Sequence, residues 1–269
     1  MGELFGEADA AAWIAVPTDD DDKYSRGVAG FVTGSARYPG AAVLGVEAAL
    51  RTGVGMVRYL GPGRATRLVL QRRPEAVTAE GRVQAWVLGS GWDNSRKTDE
   101  LTKMLLEPVF EGTAPTALDA GALDLWPKVA GPRVLTPHAG ELARLLEVAR
   151  DEVLADREAA LRRAVELTGA TVLLKGAETL VLSPGGEVLR VRNATPWLAT
   201  AGAGDALAGI LGALVSTHAD APDLAPVAAA AAWIHGEAAR RASDGGPFVI
   251  LDLCAAIPGV VRGLATMNA

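Results

Sequence analysis

Apolar residues along this chain fall into short runs separated by longer stretches with apolar positions at helical intervals. Residues 28–33 form one such run, ended by Gly34, and 40–51 then show helical periodicity closed by Gly53. Residues 56–60 read as the next strand, and strand-like runs recur at 85–88, 116–118, 133–135 and 171–174 with helical stretches between them. This alternation predicts an α/β domain built on a mostly parallel sheet with right-handed crossovers. Residues 179–182 and 188–192, joined by Ser183-Pro184-Gly185-Gly186, read as a hairpin attached to the C-terminal part of that sheet. The last third reads as helical over 206–216, 224–242 and 253–265, packed over one side, with Pro226 and Pro258 perturbing the helices.

Composition narrows the class. At 269 residues, with no linker-like stretch, the chain fits one large domain over 23–269 behind an acidic arm over 1–22. Nearly half the residues are apolar (49%) but only 5% are aromatic, so close packing of Ala, Gly and Val under helices is favoured, and disordered and fibrous classes are excluded. A net charge of -6 and the lack of any basic stretch beyond the local pair Arg72 and Arg73 argue against nucleic acid as a partner. Cys254 is the one cysteine, a buried filler by expectation, which excludes an intrachain disulfide or a cysteine metal cluster and suits a reducing cytoplasm. The acidic opening is unlike a signal peptide, and no apolar run reaches membrane-spanning length without interruption. The run DDDDK at 19–23 reads as part of a solvated arm.

The candidate chemistry centres on NATPWLATAGAGDALAGILGA, residues 193–213. Gly202 and Gly204 permit close approach of a ligand to the backbone, while Ala206, Leu207, Ile210, Leu211 and Leu214 recur at helical spacing. The turn therefore lies at a helix N-terminus, where free N–H groups and the dipole favour phosphate. Asp205 sits at its edge. It is either a helix cap or a base that accepts a proton from an attacking hydroxyl, and the motif alone leaves the two readings level.

In an open parallel sheet ligands bind beyond the carboxyl ends of the strands, which singles out four further loops. They are GSARYPGAA at 34–42, GSGWDN at 89–94, TPHAGE at 136–141 and KGAET at 175–179. Thr136 and Pro137 read as the N-cap and first turn of a helix. His138 is then either a satisfied structural histidine or a neutral ring facing a ligand, and Glu141, on the same face, either a solvated glutamate or a partner of hydrated magnesium. Lys175 ends a strand, where it is a solvated lysine or a phosphate counter-ion. Gly89 and Gly91 make a tight turn or free their N–H groups for a ligand. No H-E-x-x-H, Walker A, G-x-S-x-G or Cys-His nucleophile pattern is present.

Taken in order, GSARYPGAAVLGVEAALRTGVGMVRYLGP, LGSGWD, ALDAGAL, VLTPHAGELARLL, TVLLKGAETLVLSPGGEV, NATPWLATAGAGDALAGILGAL and AAAWIHGEAA resemble the ADP-dependent NAD(P)HX dehydratase family of the ribokinase-like superfamily, from about Lys23 to the C-terminal helix. The resemblance implies a three-layer α/β/α sandwich. It assigns the nicotinamide side of the hydrated dinucleotide to Ala42, Gly91, His138 and Asp205, and the nucleotide side to Lys175, Gly176, Ala177, Glu178, Thr179 and Gly204. Ala201, Gly202, Ala203 and Gly204 would cradle the reacting phosphates, and Glu141 parallels the glutamate of the Asn-x-x-Glu magnesium motif of related kinases, with His138 where they have Asn. Three departures stand out: Ser25-Arg26-Gly27 replaces His-Lys-Gly, Gly89-Ser90-Gly91 replaces Gly-Pro-Gly, and Ala201-Gly202-Ala203-Gly204-Asp205 replaces Gly-Gly-Thr-Gly-Asp.

The implied activity is the dehydration of (6S)-NADHX or NADPHX to NADH or NADPH with ADP or ATP as co-substrate and Mg2+ as cofactor. Asp205 would take the ring hydroxyl's proton as a phosphoryl group moves onto it. The alternative is a kinase of the same superfamily acting on a small alcohol such as a vitamin precursor, and a third reading is an idle nucleotide sensor. The resemblance further implies a homotetramer and functional pairing with a separate epimerase, since some relatives carry one at their N-terminus.

Overall fold

The computed structural model describes residues 4–92 and 100–268. Residues 1–3 of the expected arm, Asp93 and Asn94 of the expected GSGWDN loop, and Ala269 lie outside the described residues. Among the described residues the strands are β1 (Val28–Val32), β2 (Met56–Tyr59), β3 (Ala85–Leu88), β4 (Thr116–Leu118), β5 (Arg133–Leu135), β6 (Thr171–Leu174), β7 (Thr179–Leu182) and β8 (Leu189–Val191). The helices are α1 (Glu7–Ala11), α2 (Gly40–Thr52), α3 (Gly63–Arg72), α4 (Glu100–Glu111), α5 (Ala139–Leu145), α6 (Arg150–Ala155), α7 (Arg157–Thr168), α8 (Ala203–Thr217), α9 (Ala225–Ser243) and α10 (Ile250–Ala265).

The strands form one sheet in the order β2-β1-β3-β4-β5-β6-β7-β8. Pairing is parallel from β2 through β6 and antiparallel for β6-β7 and β7-β8, so the expected hairpin closes one edge and β6 already takes part in the antiparallel pairing. Strand residues alternate between two cores, which is why the strands read as continuous apolar runs. Phe31, Val57, Tyr59, Val87, Leu173 and Val181 pack with α2, α3, α8, α9 and α10 on one face. Val32, Trp86, Leu88, Leu118, Leu135 and Leu174 pack with α4, α5, α6 and α7 on the other. The result is three layers with helices covering both faces of the sheet.

Several expectations are corrected. Residues 4–14 are not a solvated arm. The Phe5 N–H donates to the Arg190 carbonyl at 2.9 Å, and Ala10 and Ala11 are buried where α1 packs on α9 and α10. The apolar side of a short amphipathic turn outweighs its acidic side here. Residues 15–26, including the acidic run, are exposed. Pro226 does not perturb α9, because it occupies the first turn, where its missing N–H has no intrahelical partner to lose. Helix α10 starts at Ile250 and runs through Pro258.

Arg72 and Arg73 are not merely a local pair. Both reach Glu47 on α2, Arg73 at 2.5 Å and Arg72 at 3.2 Å, while Arg51 binds the same carboxylate at 2.6 Å. The Glu47 side chain is wholly buried, and these three guanidinium groups, overcoming burial, hold its carboxyl down at about 2. This cluster ties α2 to α3 at a distance from the sheet's carboxyl ends.

Candidate functional site

The strand order reverses between β1 and β3, the usual place for a ligand crevice. The loops leaving these two strands meet there, with the Gly34 N–H donating to the Ser90 carbonyl at 2.7 Å. Gly91 has a φ of +73°, and a Cβ on it would lie 2.4 Å from Ala41 Cβ and 2.8 Å from the Tyr38 carbonyl oxygen. The loop from Tyr38 to Ala41 is thereby seated directly on Gly91. Ala42 is fully buried, and its methyl lies 3.0 Å from the Cβ position of Gly34.

The next strand end supplies a residue that pattern reading passed over. Asp119 follows β4 and is almost wholly buried. Its carboxylate accepts from Ser90 Oγ at 2.9 Å and Thr136 Oγ1 at 2.8 Å, and ion-pairs with Lys175 Nζ at 2.8 Å. Burial alone would raise the Asp119 carboxyl, but the Lys175 charge and these hydrogen bonds leave it below its ordinary value. Lys175 is correspondingly no solvated lysine. Its ammonium is held by Asp119 and lies 3.7 Å from Glu141 Oε2, and these carboxylates raise it above the usual lysine value against the opposing effect of burial.

Helix α5 begins differently from expectation. Thr136 is not its N-cap, because the Thr136 hydroxyl is committed to Asp119 and its N–H to the Leu118 carbonyl. The strand pairing continues through the Lys175 N–H, which donates to the Pro137 carbonyl, so the cap falls on His138. His138 Nδ1 accepts from the N–H groups of Gly140 (3.0 Å) and Glu141 (3.1 Å), and Glu141 Oε2 accepts from the His138 N–H at 2.8 Å. This reciprocal cap commits Nδ1 as an acceptor, while Nε2, on an exposed ring, lies 3.5 Å from Glu141 Oε1. Glu141 is largely buried rather than solvated.

The glycine turn completes the site. Gly202 has a φ of +93° and caps α8, so Ala203, Gly204 and Asp205 form its first turn, three residues earlier than the apolar periodicity indicates. Lys175 Nζ lies 3.6 Å from where a Cβ on Gly204 would stand. A cation and the open N–H groups of a helix start thus face the same space. Among the described residues no cap or other hydrogen bond engages the Asp205 carboxylate, so the capping reading lacks support. Burial first, and then the negative charge of Asp119, push the Asp205 carboxyl up to about 6, against the pull of Lys175. His235 on α9 is a second residue missed from sequence. It is buried, makes a backbone hydrogen bond with Ala203, has no partner at Nε2, and is pushed by burial down to about 4.

A continuous path therefore joins Gly34, Ser90, Asp119, Lys175 and the turn before Asp205. A family model for NAD(P)H-hydrate dehydratase matches residues 29–254, which takes in every loop of this path. The chain belongs to the NAD(P)H-hydrate dehydratase family. A bifunctional NAD(P)H-hydrate repair enzyme Nnr of Mycobacterium tuberculosis is 43% identical over 79% of this chain and 46% of its own length. The ADP-dependent (S)-NAD(P)H-hydrate dehydratase of Neisseria meningitidis is 38% identical over 82% of this chain and 79% of its own. The chain spans about half the length of the bifunctional relatives it matches. The crystal structure of an ADP/ATP-dependent NAD(P)H-hydrate dehydratase from Bacillus subtilis, co-crystallised with ATP and Mg2+, superposes with a TM-score of 0.85 at 25% identity, covering 97% of this chain and 98% of that one. The fold is the ribokinase-like α/β/α sandwich.

Within this dehydratase-family domain the sequence-derived residues divide into two groups. His138, Glu141, Lys175, Gly204 and Asp205 converge beyond the carboxyl ends of the strands, while Ala42, fully buried, and Gly91 pack against Gly34 where the loops after β1 and β3 meet. Gly176 and Ala177 lie on the turn from β6 to β7 and Thr179 opens β7, while Glu178 turns its carboxylate to Arg190 Nη1 at 3.0 Å. Asp119 had a sequence signal, an acid directly after a strand in LDAGAL; His235, inside an alanine-rich helix, reads only as core.

Proposed function

We propose that this chain catalyses the ADP-dependent dehydration of (6S)-NADHX and NADPHX, giving NADH or NADPH, AMP and phosphate. The observation that carries the reading is Asp205, a carboxylate free of hydrogen bonds in the first turn of α8, beside the Lys175 ammonium. Hydroxide is a poor leaving group, so loss of water from the hydrated nicotinamide needs activation. The terminal phosphoryl of ADP is transferred to the ring hydroxyl, whose proton passes to Asp205, and the P–O bond to AMP breaks. Phosphate then leaves with the C–O bond pair, the ring loses a proton, and the reduced nicotinamide is restored. The amides of Ala201 to Gly204 and the Lys175 charge stabilise the transferring phosphoryl group. His138 Nε2, Gly91 and Ala42 bound the nicotinamide side, and Lys175 to Thr179 with Gly204 the nucleotide side.

No group of three or more His, Cys, Asp or Glu residues that could cage a metal occurs among the described residues. Asp119 is saturated by Ser90, Thr136 and Lys175 and Asp205 is reserved for the proton, so Glu141, which also accepts from the His138 N–H, would hold a magnesium ion through water, with phosphates as its other ligands. That ion would neutralise charge on the nucleotide phosphates. Function in the cytoplasm as a homotetramer, alongside an epimerase that interconverts the two NAD(P)HX epimers, belongs to the same proposal. No helix among the described residues is long and apolar enough to cross a membrane.

The test is to mix the protein and magnesium with hydrated NADH, adding ADP or ATP in parallel, and to follow the return of reduced-nicotinamide absorbance. Recovery names the donor. Binding of nucleotide without recovery would instead support a small-alcohol kinase or a sensor. Asp205→Asn lowers turnover on the order of a hundredfold or more if Asp205 is the proton acceptor, and near-normal turnover removes that role.

A further inference from the structure

Arg157 is the first residue of α7, and a cation there opposes the helix dipole. Its guanidinium instead reaches under the β6-β7 turn. Nη1 donates to the Glu178 carbonyl at 2.8 Å, and Nη2 to those of Leu174 at 3.3 Å and Lys175 at 3.4 Å. A second, independent observation concerns Gly176. Its φ lies outside the left-handed region, so its backbone does not call for glycine, yet a Cβ would stand 2.5 Å from Arg157 Nη2 and 3.0 Å from Cζ. The guanidinium fills the place of the missing side chain. The outer side of the turn, at Gly176 and Ala177, is exposed.

In a trans peptide the C=O and the following N–H point in opposite directions. With the Lys175 carbonyl drawn inward to Arg157, the Gly176 N–H is sent to the open side of the turn. We propose that Arg157 is the positioning residue of the nucleotide-binding turn, holding its carbonyls inward so that the Gly176 amide faces the ADP, and that Gly176 is glycine because this guanidinium lies beneath it. The inference rests on the proposal that residues 175–179 bind the nucleotide. Arg190 and Glu158, ion-paired with each other beside the turn, and Glu178 balance the charge.

The experiment measures the Kd for ADP by titration calorimetry with magnesium, and the KM values for ADP and hydrated NADH, in wild type, Arg157→Lys, Arg157→Ala, Gly176→Ala and the double variant Arg157→Ala/Gly176→Ala. Arg157→Ala weakens ADP binding about tenfold or more, with kcat and the KM for hydrated NADH within about twofold of wild type. Arg157→Lys does not rescue, because one ammonium cannot bridge the Glu178 and Leu174 carbonyls as a planar fork does. Gly176→Ala weakens ADP binding in the wild-type background and adds little to Arg157→Ala, since the clash is then gone. Unchanged ADP affinity in Arg157→Ala overturns the inference alone. So does a parallel rise in both KM values accompanied by a large fall in thermal midpoint, which marks a merely structural residue. A wild type that does not bind ADP overturns the nucleotide reading itself, and this inference with it.

Discussion

The Asp205 carboxyl, raised from 3.8 to about 6, makes the proton-acceptor role measurable without any substitution. Only the ionised form accepts a proton. With that value roughly 90% of Asp205 is ionised at pH 7 and roughly 10% at pH 5, so kcat/KM for hydrated NADH falls about tenfold over this interval. An aspartate left at 3.8 would lose only about 5% of its ionised form over the same range. The assay is the initial rate of absorbance recovery at low hydrated NADH and saturating ADP, at constant ionic strength. A flat profile between pH 5 and pH 7 would refute the assignment. Stability gives a second reading of the same group. A carboxyl whose folded value lies above its unfolded one contributes stability below pH 3.8 and loses it as pH rises through about 6. Asp205→Asn is therefore more stable than wild type at pH 7, by on the order of 2 kcal/mol, and no more stable below pH 4. Higher stability with lost turnover is the mark of a charge kept for chemistry.

Asp119→Asn keeps an isosteric partner for Ser90 and Thr136 but removes the negative charge that raises Asp205, so the acid limb of the rate profile moves to lower pH; an unmoved limb would show that burial alone sets Asp205. Glu47→Gln breaks the buried three-arginine cluster and lowers stability at pH 7 on the order of 3 kcal/mol, read by urea unfolding. Because Glu47 is held below its unfolded value, its contribution is complete above pH 4.5 and disappears as pH falls through about 2, so the difference between wild type and Glu47→Gln shrinks over that window. Gly202→Ala forces a side chain into a φ of +93° with Leu44 Cδ1 2.6 Å away, costs on the order of 1–2 kcal/mol, and displaces the anion turn, lowering kcat/KM more than stability.

The strands were readable because each is a continuous apolar run, buried on both faces, bounded by glycine or by a polar turn. The loops were readable for the same reason, since polar residues at strand ends had no other use in such a sheet. Helix starts were less so. The apolar periodicity of α8 begins at Ala206, but the helix begins at Ala203, because Gly204 and Asp205 interrupt the apolar pattern in its first turn although Ala203 itself packs against the core. His138 took the cap from Thr136 through a contact 17 residues distant, the Thr136 hydroxyl to Asp119, which local capping rules do not see. Asp119 itself looked like one acid in an alanine-rich stretch, and only the sheet order brings Lys175 to it. The docking of residues 4–14 was hidden in the same way, because what covers Ala10 and Ala11 is α9 and α10, more than 200 residues further along.

The absence of a hydroxyl in the anion turn bears on how the phosphate is held. The family's usual Gly-Gly-Thr-Gly-Asp appears here as Ala201-Gly202-Ala203-Gly204-Asp205, so position 203 offers a ligand no side-chain donor. Helix α8 nevertheless starts at that residue, with Gly202 as a cap that makes no side-chain bond; the Ala203 N–H donates to the Thr200 carbonyl at 3.4 Å, which leaves the Gly204 and Asp205 amides of the first turn for an anion. If backbone amides and Lys175 carry the site, restoring a hydroxyl adds little. Ala203→Thr should change the KM for ADP by less than about threefold, whereas a new hydrogen bond to a charged phosphate would strengthen binding by more than about tenfold. The substitution does not touch the His235 contact, which goes to the backbone of residue 203. A tenfold fall in KM for ADP would mean that the site had lacked a donor it needs, and that the amides of Ala201 to Gly204 do not suffice to hold the reacting phosphate.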